Sequence, residues 1–192
     1  MVDKKHIGLF FGSFNPVHIG HIQIAMRFYE TQLFDAIHLI ISPANPHKDI
    51  ASLAQEIHRY KMVELALNDC PYPIVASDIE FFMPKPSYTY DTLIELQKKY
   101  PNYNYSILLG SDNLDRLMEW KNIDYILEHH NIYCYDRGND ISVKHNHIHL
   151  LKMPILQISS TEIRHRIHNN LPIQSFVHDD VIKYIYKEAL YK

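Results

Sequence analysis

Helical and strand-like patterns alternate along the sequence. This alternation predicts an α/β fold built on a Rossmann-like, doubly wound, mostly parallel sheet with C-terminal helices. A second observation agrees, because the first apolar run leads into a glycine turn and a helix start, as in the first unit of nucleotide-binding sheets. The chain has 192 residues, of which 46% are hydrophobic and 21% charged. This length can bury one good core and no linker or repeat interrupts it, so we expect a single domain over residues 1–192.

Short apolar runs predict the strands, and the first of them is continuous enough to be a buried strand. In chain order the predicted strands are 7–11, 36–41, 74–77, 79–83, 105–109, 131–135 and 148–151. Apolar residues at helical spacing, such as Ile57, Met62 and Leu65, predict the helices. These are 17–30, 53–68, 90–100, 123–129, 160–169 and 179–191.

The turn after the first strand is a candidate anion site. Asn15 is predicted as the N-cap of the first helix and Pro16 as its first residue, so free N–H groups and the positive helix end face the turn. Gly12 would let a phosphate approach the main chain closely. His18 and His21 are three residues apart and would share one helix face beside this site. Two such histidines can also be ordinary packed residues or half of a metal site.

Ligands of doubly wound sheets bind outside the carboxyl ends of the strands, and several notable side chains follow predicted strands. Lys48 lies in a proline-containing loop after the second strand. Gly110 and Asp112 follow the strand that ends at residue 109, with the single tryptophan, Trp120, a little further on. Arg137 follows the strand that ends at residue 135. Each is common as a surface or core residue, and their joint placement at one sheet edge favours a binding role.

A second candidate phosphate cradle lies near the start of the fifth predicted helix. Ser159 and Glu162 have the spacing of a capping box, which alone would explain these two residues. The capping box does not explain the further hydroxyls of Ser160 and Thr161 or the guanidinium of Arg164. Three hydroxyls and a guanidinium at a positive helix end suit a polyphosphate.

Composition excludes several classes of protein. The formal net charge of −3 argues against a general nucleic-acid or membrane surface, so phosphate binding should be local.

Cys70 and Cys134 are far apart and without a C-x-x-C motif, which indicates reduced thiols. No signal peptide or membrane span is predicted, and a cytoplasmic location is expected. Three alternating histidines lack a nearby cysteine or carboxylate and fit a solvated edge strand better than a zinc site: His145, His147 and His149.

The motifs together resemble the H-x-G-H nucleotidyltransferase superfamily and, within it, bacterial nicotinate-nucleotide adenylyltransferases. The matching segments are H-x-G-H at 18–21, S-Y-T-x-D-T-L at 87–93, G-x-D at 110–112 followed by Trp120, and I-S-S-T-x-I-R at 158–164. The sequence departs from the family in two places. Asn15 stands where many relatives carry Asp, and residues 45–48 have one proline fewer than the common P-P-H-K.

The resemblance implies transfer of AMP from ATP to nicotinate mononucleotide. His18, His21, Lys48 and Arg164 would be catalytic, and Lys48, Thr89 and Trp120 would bind the mononucleotide. ATP would contact Gly12, Ser13, Phe14, Asn15, His18, His21, Gly110, Asp112, Arg137, Ser159, Ser160, Thr161 and Arg164. Mg²⁺ would arrive with ATP, held by phosphate oxygens and water, so no protein metal ligand is expected. Homo-oligomerisation is left open.

Three alternatives share part of this pattern. Class I aminoacyl-tRNA synthetases carry H-x-G-H, but this chain has no K-M-S-K-S counterpart and no room for an anticodon-binding domain. Pantetheine-phosphate adenylyltransferases share the first motif but lack the contexts of Trp120 and of residues 158–164. A nucleotide-sensing module that binds without turnover is the non-enzyme alternative.

Overall fold

A computed structural model describes residues 4–44, 53–135, 145–152 and 158–192. Its six strands form one parallel sheet in the order β3-β2-β1-β4-β5-β6. The strands are β1 Lys5–Gly12, β2 Ala36–Ile41, β3 Ile74–Ser77, β4 Tyr103–Gly110, β5 Ile132–Tyr135 and β6 Ile148–Leu151. The predicted α/β, doubly wound fold is confirmed, and every pairing within this sheet is parallel.

Helices cover both faces of the sheet. They are α1 Ile19–Glu30, α2 Glu56–Ala66, α3 Thr89–Lys99, α4 Ile123–His129, α5 Ser160–His168 and α6 Asp179–Lys187. One core joins buried residues of α1, α2, α5 and α6, and a second core joins those of α3 and α4. Strand β1 is flanked by β2 on one side and β4 on the other, so connections diverge from its carboxyl end and leave a crevice there. None of the helices within the described ranges is long and apolar enough to cross a membrane.

The strand predicted at residues 79–83 is wrong, because Ile79–Phe82 forms a short 3₁₀ helix. The burial of this segment explains the difference. The polar Glu80 is buried and accepts a hydrogen bond from Thr92, whereas the ring of Phe82 is 84% exposed. A second 3₁₀ segment, Ser111–Glu119, was not predicted.

The first helix begins at Ile19, two residues after the start of the predicted range 17–30, with His18 as its N-cap in place of Asn15. Asn15 does not cap it, because its side chain is engaged across the fold. Oδ1 of Asn15 accepts hydrogen bonds from the Ala54 backbone N–H at 3.0 Å and from the Tyr191 hydroxyl at 2.8 Å. The backbone N–H of His18 donates instead to Nδ1 of His21, at 3.3 Å. The histidines therefore organise this helix start themselves.

Candidate active site

A cavity of about 610 Å³ opens at the carboxyl ends of β1 and β4. It lies where the sheet topology predicts a ligand site. Many of the residues singled out in the sequence line it: Gly12, Ser13, Phe14, Asn15, His21, Thr89, Gly110, Trp120, Ser160, Thr161 and Arg164. Residues from both helical layers therefore meet around one space.

The histidine pair lies at the start of α1. The rings of His18 and His21 are stacked, and the His21 ring also meets the Phe14 ring edge-on at 5.0 Å between centroids. His18 is buried, and His21 lines the cavity. A Cβ on Gly20 would lie 3.1 Å from Nδ1 of His18, so a side chain there would press on the His18 ring. A Cβ on Gly12 would lie 2.7 Å from Cζ of Phe14, so a side chain there would displace the Phe14 ring.

The start of α5 is bound directly to the turn after β1. Nη1 of Arg164 donates to the carbonyl oxygen of Asn15 at 2.8 Å, and the Ser160 hydroxyl donates to the carbonyl oxygen of Pro16 at 2.9 Å. Nη2 of Arg164 donates to the Thr161 hydroxyl at 3.3 Å. The two segments predicted as phosphate cradles are therefore joined by hydrogen bonds and line one cavity. The Ser159 hydroxyl accepts from the Glu162 backbone N–H, so it caps α5, and its contact with ATP stays a prediction.

The opposite wall is formed by the start of α3 and the end of the second 3₁₀ segment. Thr89 is the first residue of α3, and Trp120 follows the 3₁₀ segment and is half-buried. Lys121 joins these two elements, because its Nζ lies 2.7 Å from a carboxylate oxygen of Asp91 and 5.1 Å from the centre of the Tyr88 ring. Thr89 and Trp120 therefore belong to one connected wall.

Arg59 was not predicted as a site residue. Its side chain is fully buried on α2, and its guanidinium donates to the carbonyl oxygens of Ser13 at 2.7 Å and Ser42 at 2.8 Å. It also donates to the carbonyl oxygens of Ala54 and Pro43. Burial lowers the pKa of this guanidinium. Arg59 thus joins the loops that follow β1 and β2. Its helical spacing from the apolar Met62 and Val63 was the sequence signal that could have indicated its burial.

Glu80 is a second residue that sequence reasoning missed. It lines the cavity and is 1% exposed, and the Thr92 hydroxyl donates to its Oε1 at 2.7 Å. Burial raises the pKa of this carboxyl, while the hydroxyls of Thr92, Ser42 and Ser87 oppose that rise. Its sequence context, an apolar run taken for a strand, gave no reason to expect a buried acid there.

Some predicted residues cannot be placed. Lys48 and Arg137 lie outside the described residues, and only the backbone of Asp112 is described, within the second 3₁₀ segment.

Of the three alternating histidines, His147 and His149 both contact Oδ1 of Asn131, at 3.1 and 3.2 Å. Within the described ranges, no three His, Cys, Asp or Glu side chains are grouped closely enough to hold a metal ion. Cys70 and Cys134 are thiols outside any disulfide bond, as predicted.

Comparison with known proteins agrees with this geometry. Residues 9–166 match the cytidylyltransferase-like family. A protein of Flavobacterium psychrophilum described as "Probable nicotinate-nucleotide adenylyltransferase" is 43% identical over 191 residues, which cover 97% of this chain and 98% of the relative. A protein of Cytophaga hutchinsonii with the same description is 41% identical over 188 residues, covering 96% and 97%.

Solved structures share the fold. The nicotinic acid mononucleotide adenylyltransferase of Plasmodium falciparum, complexed with NaAD, superposes with a TM-score of 0.82 at 24% identity over 97% of each chain. The sequence likeness over nearly the whole length shows that the chain belongs to the nicotinate-nucleotide adenylyltransferases of the cytidylyltransferase-like family.

Proposed function

We propose that the protein transfers AMP from ATP to nicotinate mononucleotide, a step of NAD biosynthesis, and releases pyrophosphate. The observation that carries this proposal is the cavity itself. It brings the H-x-G-H helix start and the α5 cradle together with an aromatic wall on the opposite side, in a chain whose full-length relatives bear the corresponding name. Two phosphate cradles and an aromatic platform are the parts that joining two nucleotides requires.

The reaction needs little proton chemistry from the protein. The phosphate of the mononucleotide has a second pKa of about 6, so it is largely ionised at neutral pH and can attack without a general base. An oxygen of this phosphate forms a bond to the α-phosphorus of ATP, and the bond from that phosphorus to the pyrophosphate oxygen breaks. Catalysis then consists of alignment and of stabilising negative charge in the transition state.

We assign charge stabilisation at the α-phosphate to the histidine pair, with His21 on the cavity wall and His18 stacked behind it. Arg164 and the hydroxyls at the start of α5 suit the β- and γ-phosphates, because the helix N-terminus adds backbone donors and a positive dipole end. Lys48 and Arg137 are proposed as further phosphate contacts from the sequence resemblance.

The pyridine end is assigned to the opposite wall. The Trp120 indole would stack on the nicotinate ring, and backbone N–H groups near Thr89 would bind its carboxylate. The placement of Thr89 as the first residue of α3 supports this assignment, since a helix N-terminus favours an anion. The corresponding amide lacks the negative charge and would lose a charge-assisted hydrogen bond.

Mg²⁺ is proposed to enter with ATP. Among the cavity-lining side chains that the structure describes, Glu80 supplies the one carboxylate, and this group is buried against Thr92. The cavity therefore suits a cation held by phosphate oxygens and water, where it would neutralise phosphate charge. A cytoplasmic location is part of the same proposal. The net charge of −3 supports action on small nucleotides, without nucleic-acid or membrane partners.

The experiment is a pyrophosphate-release assay of purified protein with ATP and Mg²⁺, offered nicotinate mononucleotide, nicotinamide mononucleotide or pantetheine phosphate as acceptor. We expect turnover with the nicotinate compound, formation of the dinucleotide on chromatography, and slower turnover with the amide. Preference for pantetheine phosphate would replace the proposed acceptor. Tight ATP binding without turnover on any acceptor would favour the sensing module.

A further inference from the structure

The carboxyl group of Glu80 is buried in the cavity wall, and the proposed chemistry does not use it. It belongs to the 3₁₀ segment Ile79–Phe82, in the connection between β3 and α3. Oε1 accepts a hydrogen bond of 2.7 Å from the hydroxyl of Thr92, which is itself fully buried. A buried carboxyl is costly unless it is hydrogen-bonded, so a defined role is expected of it.

Hydroxyls from the loop after β2 and from the entry to α3 lie near this carboxyl. Ser42 follows β2, Ser87 precedes α3 and Thr92 lies in the first turn of α3. The backbone N–H of Ser87 also donates to the carbonyl oxygen of Ala44 at 3.1 Å, so the entry to α3 is bound to the loop after β2. Of these hydroxyls, that of Thr92 donates to Glu80, whereas Oε2 of Glu80 and Oγ of Ser87 are buried without a hydrogen-bond partner among the described residues.

The same helix start carries the mononucleotide wall. Thr89 lies between Ser87 and Thr92 in the chain. On the outer side of this turn, Asp91 forms an ion pair with Lys121, the residue that follows Trp120. The start of α3 is therefore fixed from inside by the buried carboxyl and from outside by the lysine. The hydrogen bonds to Asn15 and Pro16 that hold the ATP cradle involve none of these groups.

We propose that Glu80 is a positioning residue for the mononucleotide half of the site, acting through Thr92 to set the start of α3, and with it Thr89, against Trp120. This inference rests on the proposed function. Its physical basis is that a displacement of about 1 Å in a binding group can cost a large factor in rate, and a buried hydrogen bond resists such a displacement.

The test uses variants that preserve shape. Thr92→Val removes the hydroxyl donor, Thr92→Ser keeps it, and Glu80→Gln keeps the acceptor oxygen. We expect Thr92→Val to raise KM for nicotinate mononucleotide about tenfold, because the variant loses one buried hydrogen bond. KM for ATP should stay within about twofold of the wild-type value. Thr92→Ser and Glu80→Gln should stay close to the wild type in both KM values.

Ser106→Ala is the matched control. Ser106 is also buried and hydrogen-bonded, with its Oγ 2.7 Å from Nε2 of His6, but it does not line the cavity. This variant should lower the melting temperature without changing the ratio of the two KM values. Equal KM changes for both substrates in Thr92→Val, or an identical loss in Thr92→Ser, would overturn the positioning role. A wild type that forms no dinucleotide would overturn the proposed function first, and this inference with it.

Discussion

The imidazole rings of His18 and His21 stack with their centroids 3.6 Å apart and their planes inclined by 24°. The N-cap and the third residue of one helix supply them, so a single helix start determines both positions. Each ring limits the rotation of the other, and the Phe14 ring limits His21 further. The orientation of both rings is therefore set by contacts within the protein.

Replacing His18 by alanine should lower kcat far more than it weakens ATP binding. Removing one donor that stabilises developing charge costs about 10²- to 10³-fold in rate. Steady-state kinetics at saturating substrate and calorimetric titration with ATP would measure the two effects separately. His165→Ala, at an exposed position on α5, is the control, and an unchanged kcat in His18→Ala would remove the assigned role.

The two histidines should also behave as a coupled pair. Because they touch, the loss of kcat in the double variant His18→Ala/His21→Ala should be smaller than the product of the single losses, with a coupling of about 0.5–3 kcal/mol. A double-variant cycle at one pH and one salt concentration measures this. Strict additivity would mean that the rings act independently in spite of their stacking.

Arg164→Ala should raise KM for ATP and weaken inhibition by pyrophosphate, while KM for nicotinate mononucleotide changes little. The guanidinium holds the Asn15 carbonyl and lies at the cradle assigned to the β- and γ-phosphates. Arg166→Ala is a matched control on the same helix, since Arg166 pairs with Glu162 outside the cavity. Equal KM increases for both substrates in Arg164→Ala would indicate a purely structural arginine.

Trp120→Ala should lower kcat/KM for nicotinate mononucleotide by the loss of stacking, about 0.5–1.5 kcal/mol beyond buried area. ATP affinity should remain near that of the wild type, and discrimination against the amide should persist in part because backbone N–H groups read the carboxylate. Trp120→Phe should recover part of the loss. If folded Trp120→Ala, verified by thermal melting, used nicotinate mononucleotide like the wild type, Trp120 would be only a packed aromatic.

Stability should fall as the pH drops below about 6.5, the ordinary pKa of histidine. Burial lowers the pKa values of His6, His38 and His130 in the folded protein, so the unfolded chain takes up protons first and the stability present above that pH is lost. The contacts of His130 favour a neutral ring. Its Nδ1 donates to the Tyr105 carbonyl oxygen, and its Nε2, which lies 3.3 Å from the Gln97 amide nitrogen, accepts. Urea unfolding at pH 7.5 and 5.5 should show a smaller decrease for His130→Gln than for the wild type. An equal decrease would assign the pH effect to other groups.

The sheet and the main helices were predictable because their burial follows from local apolar patterns. The segment at 79–83 was not, since its buried member is Glu80, whose partners come from other segments. Arg59 was not predicted for a related reason: its partners are backbone carbonyl oxygens, which no side-chain motif reveals. Asn15 looked like a local cap, but its partners are Ala54 and Tyr191, far along the chain. Motifs identified the residues around the cavity, and long-range hydrogen bonds decided how they are held.

The hydrogen bonds that Asn15 receives from Arg164 and Tyr191 span 149 and 176 positions in the chain. Closing such long loops costs entropy before the contacts reward it, so contacts of this kind form late in folding. The backbone hydrogen bonds within α1 and α2 join residues about four positions apart, so these helices can form earlier. After dilution from denaturant, helical structure should therefore return faster than binding of ATP, and the turn after β1 should be among the last segments to reach its native structure.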